Sequence, residues 1–187
     1  MSLNTGDAVQ TFLQILLVLA SIAFSIGTGG QVGIPITARD ARGHSQTIRI
    51  GLRPGATYGF DEELGEIPLP PYPPIPVLDI RLEDPEGRKQ YRFDGSWVDI
   101  RPFTSSSQCD TFYIRYQAAP EAFPLVFSWD NRSFDHFDGA LLVGNLTTGA
   151  VQCNMRTEHQ IIIPDGEFTV LRLILSGPHD SDSSGGK

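Results

Sequence analysis

After residue 30 no apolar stripe recurs with helical period. From about residue 46 to residue 176 the chain consists of short alternating segments broken by Gly, Pro, Asn and Asp. A side-chain period of two over four to eight residues is the signature of a half-buried strand. Thr47 to Arg53 places Ile48, Ile50 and Leu52 on one face and Arg49 and Arg53 on the other. Leu78, Ile80 and Leu82 alternate with Asp79, Arg81 and Glu83, and Tyr91 and Phe93 with Gln90 and Arg92. Phe112, Ile114 and Tyr116 repeat the pattern, followed by Leu125, Phe127 and Trp129, then Ala140 to Asn145 and Val151 to Met155, with Thr148-Gly149 as a hairpin turn between the last two. In the last strand, Phe168 to Leu175, the apolar phase changes, which predicts a β-bulge near Val170. Strands of this length and spacing predict an all-β fold, a single antiparallel sandwich of about eight or nine strands.

The one long apolar run, residues 12–26, stands before these strands. Small residues follow it, as in a secretory leader, although the preceding residues carry Asp7 and no Lys or Arg. An uncleaved membrane anchor and a buried core segment are the other two readings. The expected organisation is a signal peptide or anchor over 1–27, a flexible Gly-rich linker over 28–44, a β-sandwich over 45–177 and a disordered polar tail over 178–187. Without the leader and the polar tail about 150 residues remain, the size of one domain.

A net charge of −8 opposes binding to nucleic acid, which needs a basic surface, and to an anionic membrane surface. Membrane contact is expected only through an uncleaved leader. Cys109 and Cys153 are the only cysteines, and in an oxidising compartment an even count favours one disulfide between them. Closing such a loop would stabilise the fold by about 4 kcal/mol in the chain-entropy model. Two separate thiols are the alternative.

Residues 64–76, LGEIPLPPYPPIP, contain six prolines and cannot pair inside a sheet. Between strands, such a run reads as a rigid crossover along a sandwich edge. Together with GLRPGATYGFDEE before it, VLDIRL after it, and the later segments GSWVDIRPFTSSSQCDTFYIRYQ and FPLVFSWDNRSF, it resembles a β-sandwich module of bacterial secreted proteins. Such modules usually precede a C-terminal sorting domain used by type IX secretion. The resemblance spans about residues 46–176 and implies an immunoglobulin-like sandwich, secreted, with an adhesive or structural role. After Ser176 this chain carries only a polar tail, so periplasmic release or attachment through the leader is the expectation here.

No HExxH, GxSxG or P-loop occurs, and the four histidines are scattered. Asp61, Glu62, Glu63 and Glu66 are the best candidates for paired carboxylates, but their close spacing reads as a solvated acidic turn. Asp130, Asn131, Asp135, His136 and Asp138 are oxygen-rich enough for a cation, yet they are also what Asx-turns use, with Phe134 and Phe137 pinning the loop. Trp97 and Tyr113 fall out of phase with their apolar neighbours, which nominates them for ligand stacking; burial of Trp97 beneath the prolines is the alternative. The expectation is a secreted or cell-surface module, extracellular or periplasmic, with a binding, adhesion or structural role and neither catalysis nor cofactor. Its partner would be an extracellular protein or a polysaccharide surface. The alternatives are a carbohydrate-binding module using exposed aromatics, a small hydrolase using the acidic loop, and a homo-oligomeric filament subunit assembled through its N-terminal segment.

Overall fold

The computed structural model describes residues 32–87, 89, 94–144, 152–167 and 169–178, within a compact unit that begins at Val32. The leader, the Tyr91–Phe93 segment, the Thr148-Gly149 turn, Phe168 and residues 179–187 of the tail lie outside the described residues. Among the described residues no helix is long and apolar enough to cross a membrane.

Among the described residues ten strands form two five-stranded sheets. They are β1 (Ile34–Arg39), β2 (Ser45–Arg53), β3 (Asp79–Glu83), β4 (Val98–Pro102), β5 (Cys109–Gln117), β6 (Leu125–Ser128), β7 (Phe137–Val143), β8 (Gln152–Asn154), β9 (Gln160–Ile163) and β10 (Val170–Pro178). One sheet has the order β4-β2-β1-β6-β9 and the other β3-β5-β10-β7-β8. All pairings are antiparallel except β2 with β4. The inward residues of both sheets share one core: Ile36, Ile48, Ile50 and Phe127 from the first, and Phe112, Ile114, Leu142 and Leu173 from the second. Tyr116 meets Phe127 edge-on across the layers, with ring centroids 5.6 Å apart.

Part of the expected linker is a strand. Residues 34–39 form β1, paired on one side with β2 and on the other with β6. Ile36 and Ala38 are buried in the core. Pro35 precedes the stretch that β6 pairs, so the proline stands where β1 has one neighbour only. The β1–β2 turn is held by Asp40, whose carboxylate accepts the backbone N–H groups of Arg42 and His44 at 3.0 and 2.8 Å.

Two other expectations change. β10 keeps a regular register with β5 from Val170 to Ser176, so no bulge occurs near Val170; that residue stands on the outer face, opposite in phase to buried Leu171. The cysteines form no disulfide. Cys109 is exposed at the start of β5, and Cys153 is buried in β8. Strands β10 and β7 lie between them, a separation of roughly 14 Å at the usual strand spacing, whereas a disulfide needs Cα atoms within about 7 Å. Burial, reinforced by Glu158, pushes the Cys153 thiol up to about 12. At neutral pH a thiol reagent should therefore label Cys109 alone, with Cys153 reacting only after denaturation. Simultaneous labelling of both in the native protein, or of neither, would contradict this placement.

Candidate functional site

The nominated aromatics are separated. Gly95 and Ser96 turn the chain from the edge of one sheet to the edge of the other: Ser96 bridges to Leu82 of β3, and the Trp97 carbonyl accepts from the Arg49 N–H of β2 at 2.8 Å. Gly95 has φ 87°, and a Cβ there would stand 2.6 Å from the Leu82 carbonyl oxygen, so the turn requires glycine. It leaves Trp97 49% exposed, overturning burial beneath the prolines. The Leu69 N–H donates to the Gly95 carbonyl at 3.0 Å, and Ile67 is 63% exposed. Tyr113 instead stands half-buried in β5, opposite Glu83 of β3, with the Arg172 guanidinium 5.7 Å from its ring centroid.

The proline run is held down by a buried arginine. Arg81 and Asp79 share the outer face of β3, where the alternation predicted solvent, and both are buried. The guanidinium pairs with Asp79, donates to the carbonyls of Pro70 and Asp94, and lies 4.3 Å from the Tyr72 ring centroid. Tyr72 donates its hydroxyl to Glu83 at 2.6 Å, and Gln117 donates to the Pro73 carbonyl at 2.8 Å. Proline carbonyls have no ladder partner, and these side chains supply one.

The acidic loop is not a uniformly solvated turn. Asp61 accepts the Thr57 N–H and hydroxyl at 2.6 and 2.9 Å, while Glu62 and Glu63 are exposed in a short 3-10 turn. Glu66 is fully buried, accepting the Asp61 N–H at 3.0 Å and the Ile100 N–H at 2.5 Å. It begins a chain of buried ions at the open edge between the sheets. Lys89 Nζ lies 3.1 Å from Glu66 and 2.8 Å from Asp99, and Arg101 pairs with Asp99 at 3.0 Å and with Asp110 at 3.3 Å. The β2–β4 register puts Asp99 and Arg101 on the face of Ile50 and Leu52, so the guanidinium reaches inward to lie 4.1 Å from the Phe112 ring centroid.

Burial raises the Glu66 pKa above its usual 4.5, against the opposing pull of its hydrogen bonds and Lys89. The folded state then holds an extra proton between the unfolded and folded values. Its stabilisation is present below pH 4.5 and is lost as pH rises through the folded value. Denaturant midpoints measured upward from pH 4.5 should fall less steeply in Glu66→Gln than in the wild type. Identical slopes would refute this assignment.

A cleft of about 520 Å³ opens at one end of the domain. Its apolar wall comprises Ile75 and Phe123 with Pro120 and Pro164; Gln117, Asp165 and Tyr116 add polar groups. Tyr116, at the end of β5, is held protonated by burial and by the Asp165 charge. Ile75 is 69% exposed. Sequence reading missed this cleft because its lining comes from three distant segments.

In the 130–138 turn, Asp130 accepts the Arg132 N–H at 3.0 Å, Asn131 donates to the Arg156 carbonyl, and Phe134 and Phe137 are buried with ring centroids 6.5 Å apart. Asx-turn bonding and aromatic anchoring thus account for the loop. Among the described residues no group of three His, Cys, Asp or Glu side chains is placed to hold a metal ion. Of the histidines, His44 contacts Asp40 at 2.8 Å, His136 and His159 are exposed, and His179 lies outside the described residues. No family model, curated protein or solved structure matches the chain.

Proposed function

We propose that this is an exported, non-catalytic β-sandwich module that binds an extracellular protein or polysaccharide through the cleft at the end of the sheets. The cleft carries the reading. Its volume lies in the range of ligand sites, and a mostly apolar wall with a few polar groups is how such sites gain affinity and orientation. A fitting partner inserts an apolar group against Ile75 and Phe123 and offers a donor or cation to Asp165. The non-catalytic reading is supported by the loop carboxylate of Asp61, which is held in structural hydrogen bonds to Thr57. Export is supported by the apolar leader and by the resemblance to bacterial secreted modules.

The strand order favours a jelly roll over the expected immunoglobulin-like connectivity. From β5 to β10 the chain alternates between sheets except for the β7–β8 hairpin, producing β5-β10-β7-β8 in one sheet and β6 beside β9 in the other. With β2 and β1 completing the second sheet, these eight strands match a double-Greek-key order in which the N-terminal strand fills the usual C-terminal position; β3 and β4 extend the edges. An immunoglobulin sandwich has more within-sheet hairpins. Fold alone carries no function here.

Retention of the purified chain on immobilised polysaccharides and cell-surface extracts tests the reading. Ile75→Asp should abolish retention while leaving the melting temperature unchanged, because Ile75 is largely solvent-exposed. Undiminished retention would dismiss the cleft. Exposure of Trp97 favours a second reading, sugar stacking on its ring, for which Trp97→Ala should be the damaging substitution.

A further inference from the structure

We propose that Lys89 and Asp99 become joined by an intramolecular amide bond, with Glu66 relaying the proton and Arg101 holding the oxygen that becomes the amide carbonyl. Lys89, Glu66 and Asp99 are 4%, 0% and 2% exposed. Lys89 Nζ lies 2.8 Å from Asp99 Oδ1 and 3.1 Å from Glu66 Oε1, with the Phe60 ring centroid 5.6 Å away. Despite this proximity, Nζ and Oδ1 are both buried without a hydrogen bond of sound geometry.

The chemistry balances within the site. A lysine ammonium and an aspartate carboxylate contain the atoms of one amide and one water. Glu66 accepts a proton from Nζ and passes it to Oδ1 of Asp99, and the neutral amine attacks Cγ of the resulting neutral carboxyl group. The displaced electron pair moves to Oδ2, which receives Nε and Nη2 of Arg101 at 3.1 and 3.0 Å, an arrangement that stabilises a tetrahedral oxyanion. Oδ1 then leaves as water, carrying away the proton returned by Glu66 and a second proton from Nζ. Glu66 ends as it began, and no oxidant or activated donor is needed. Burial raises the proton affinity of Glu66, which suits it to this relay.

Two physical terms favour the reaction over a lasting ion pair. Holding amine and carboxyl in reacting distance corresponds to effective molarities on the order of 10⁵–10⁸ M. Each desolvated charge of a buried pair also costs several kcal/mol, and amide formation removes both charges together. The closed ring would span residues 89–99 and tie down the turn that presents Trp97.

Intact mass of the denatured full chain decides the matter, with the N-terminus of each sample read from its fragment ions. The wild type should be lighter than its sequence by one water. Lys89→Arg and Glu66→Gln should have their full masses, and Asp99→Asn should lose ammonia in place of water. A wild-type chain at full mass overturns the proposal, and this outcome does not depend on whether any variant folds. A water deficit that persists in Lys89→Arg would put the dehydration elsewhere and overturn it equally.

Discussion

Removing residues 1–31 should leave a domain that still unfolds cooperatively, whereas removing residues 1–43 should abolish folding. The difference is β1, which lies inside its sheet between β2 and β6 and is not part of a tether. Burial of Ile36 alone stabilises the fold by about 1.5–3 kcal/mol. Loss of the strand also deprives β2 and β6 of one ladder each, leaving β2 with β4 and β6 with β9, and opens the core around Ile48, Ile50 and Phe127. Against a total stability of roughly 5–15 kcal/mol, a loss of this kind cannot be absorbed. Thermal melts followed by circular dichroism on the two truncations provide the comparison. A shared melting temperature would show that β1 contributes nothing and would refute its place in the sheet.

Arg81→Ala should be the most damaging single surface-proximal substitution, costing about 3–5 kcal/mol, the usual penalty for stripping one partner from a buried ion pair. It leaves Asp79 buried without its guanidinium and removes the donor to the Pro70 and Asp94 carbonyls. The proline crossover, which Arg81 and Tyr72 fasten to β3, should become a protease-sensitive loop. Arg81→Lys should recover only part of the loss, because an ammonium cannot reproduce the planar fork that reaches Asp79 and the backbone together. Urea unfolding of the three proteins checks this. A change under about 0.5 kcal/mol, typical of an ordinary surface site, would mean that the crossover is held by something else.

Much of the core was legible from alternation alone. Ile48, Ile50, Phe112, Ile114, Tyr116, Leu125 and Phe127 were named by phase and are all buried. Where alternation was interrupted, reading failed. β1 carries Pro35 and a glycine-rich approach that resembles a tether, and β9 is a four-residue strand whose three consecutive isoleucines show no period. Phase also assigns side chains to faces without saying which face is covered. The triplet Asp-Ile-Arg occurs in β3 as Asp79-Ile80-Arg81 and in β4 as Asp99-Ile100-Arg101. Its spacing puts acid and base on one face as partners, and that was the available signal for both buried ion pairs. The proline crossover over β3 and the edge between the sheets at β4 are tertiary facts, so the pairs read as solvent-facing. Cysteine parity misled for the same reason: an even count carries no information about the two strands that separate Cys109 from Cys153.

The most direct measurement is an amide chemical-shift map recorded while a library of fragment-sized glycosides, aromatic amides and short fatty acids is titrated into the labelled domain. If the cleft receives the ligand, shifts will concentrate at Gln117, Ala118, Phe123, Asp165 and Gly166 and will vanish in Ile75→Asp. Shifts confined to Trp97 and Ile67, or none at the cleft with any compound, would contradict a binding role for that end of the domain.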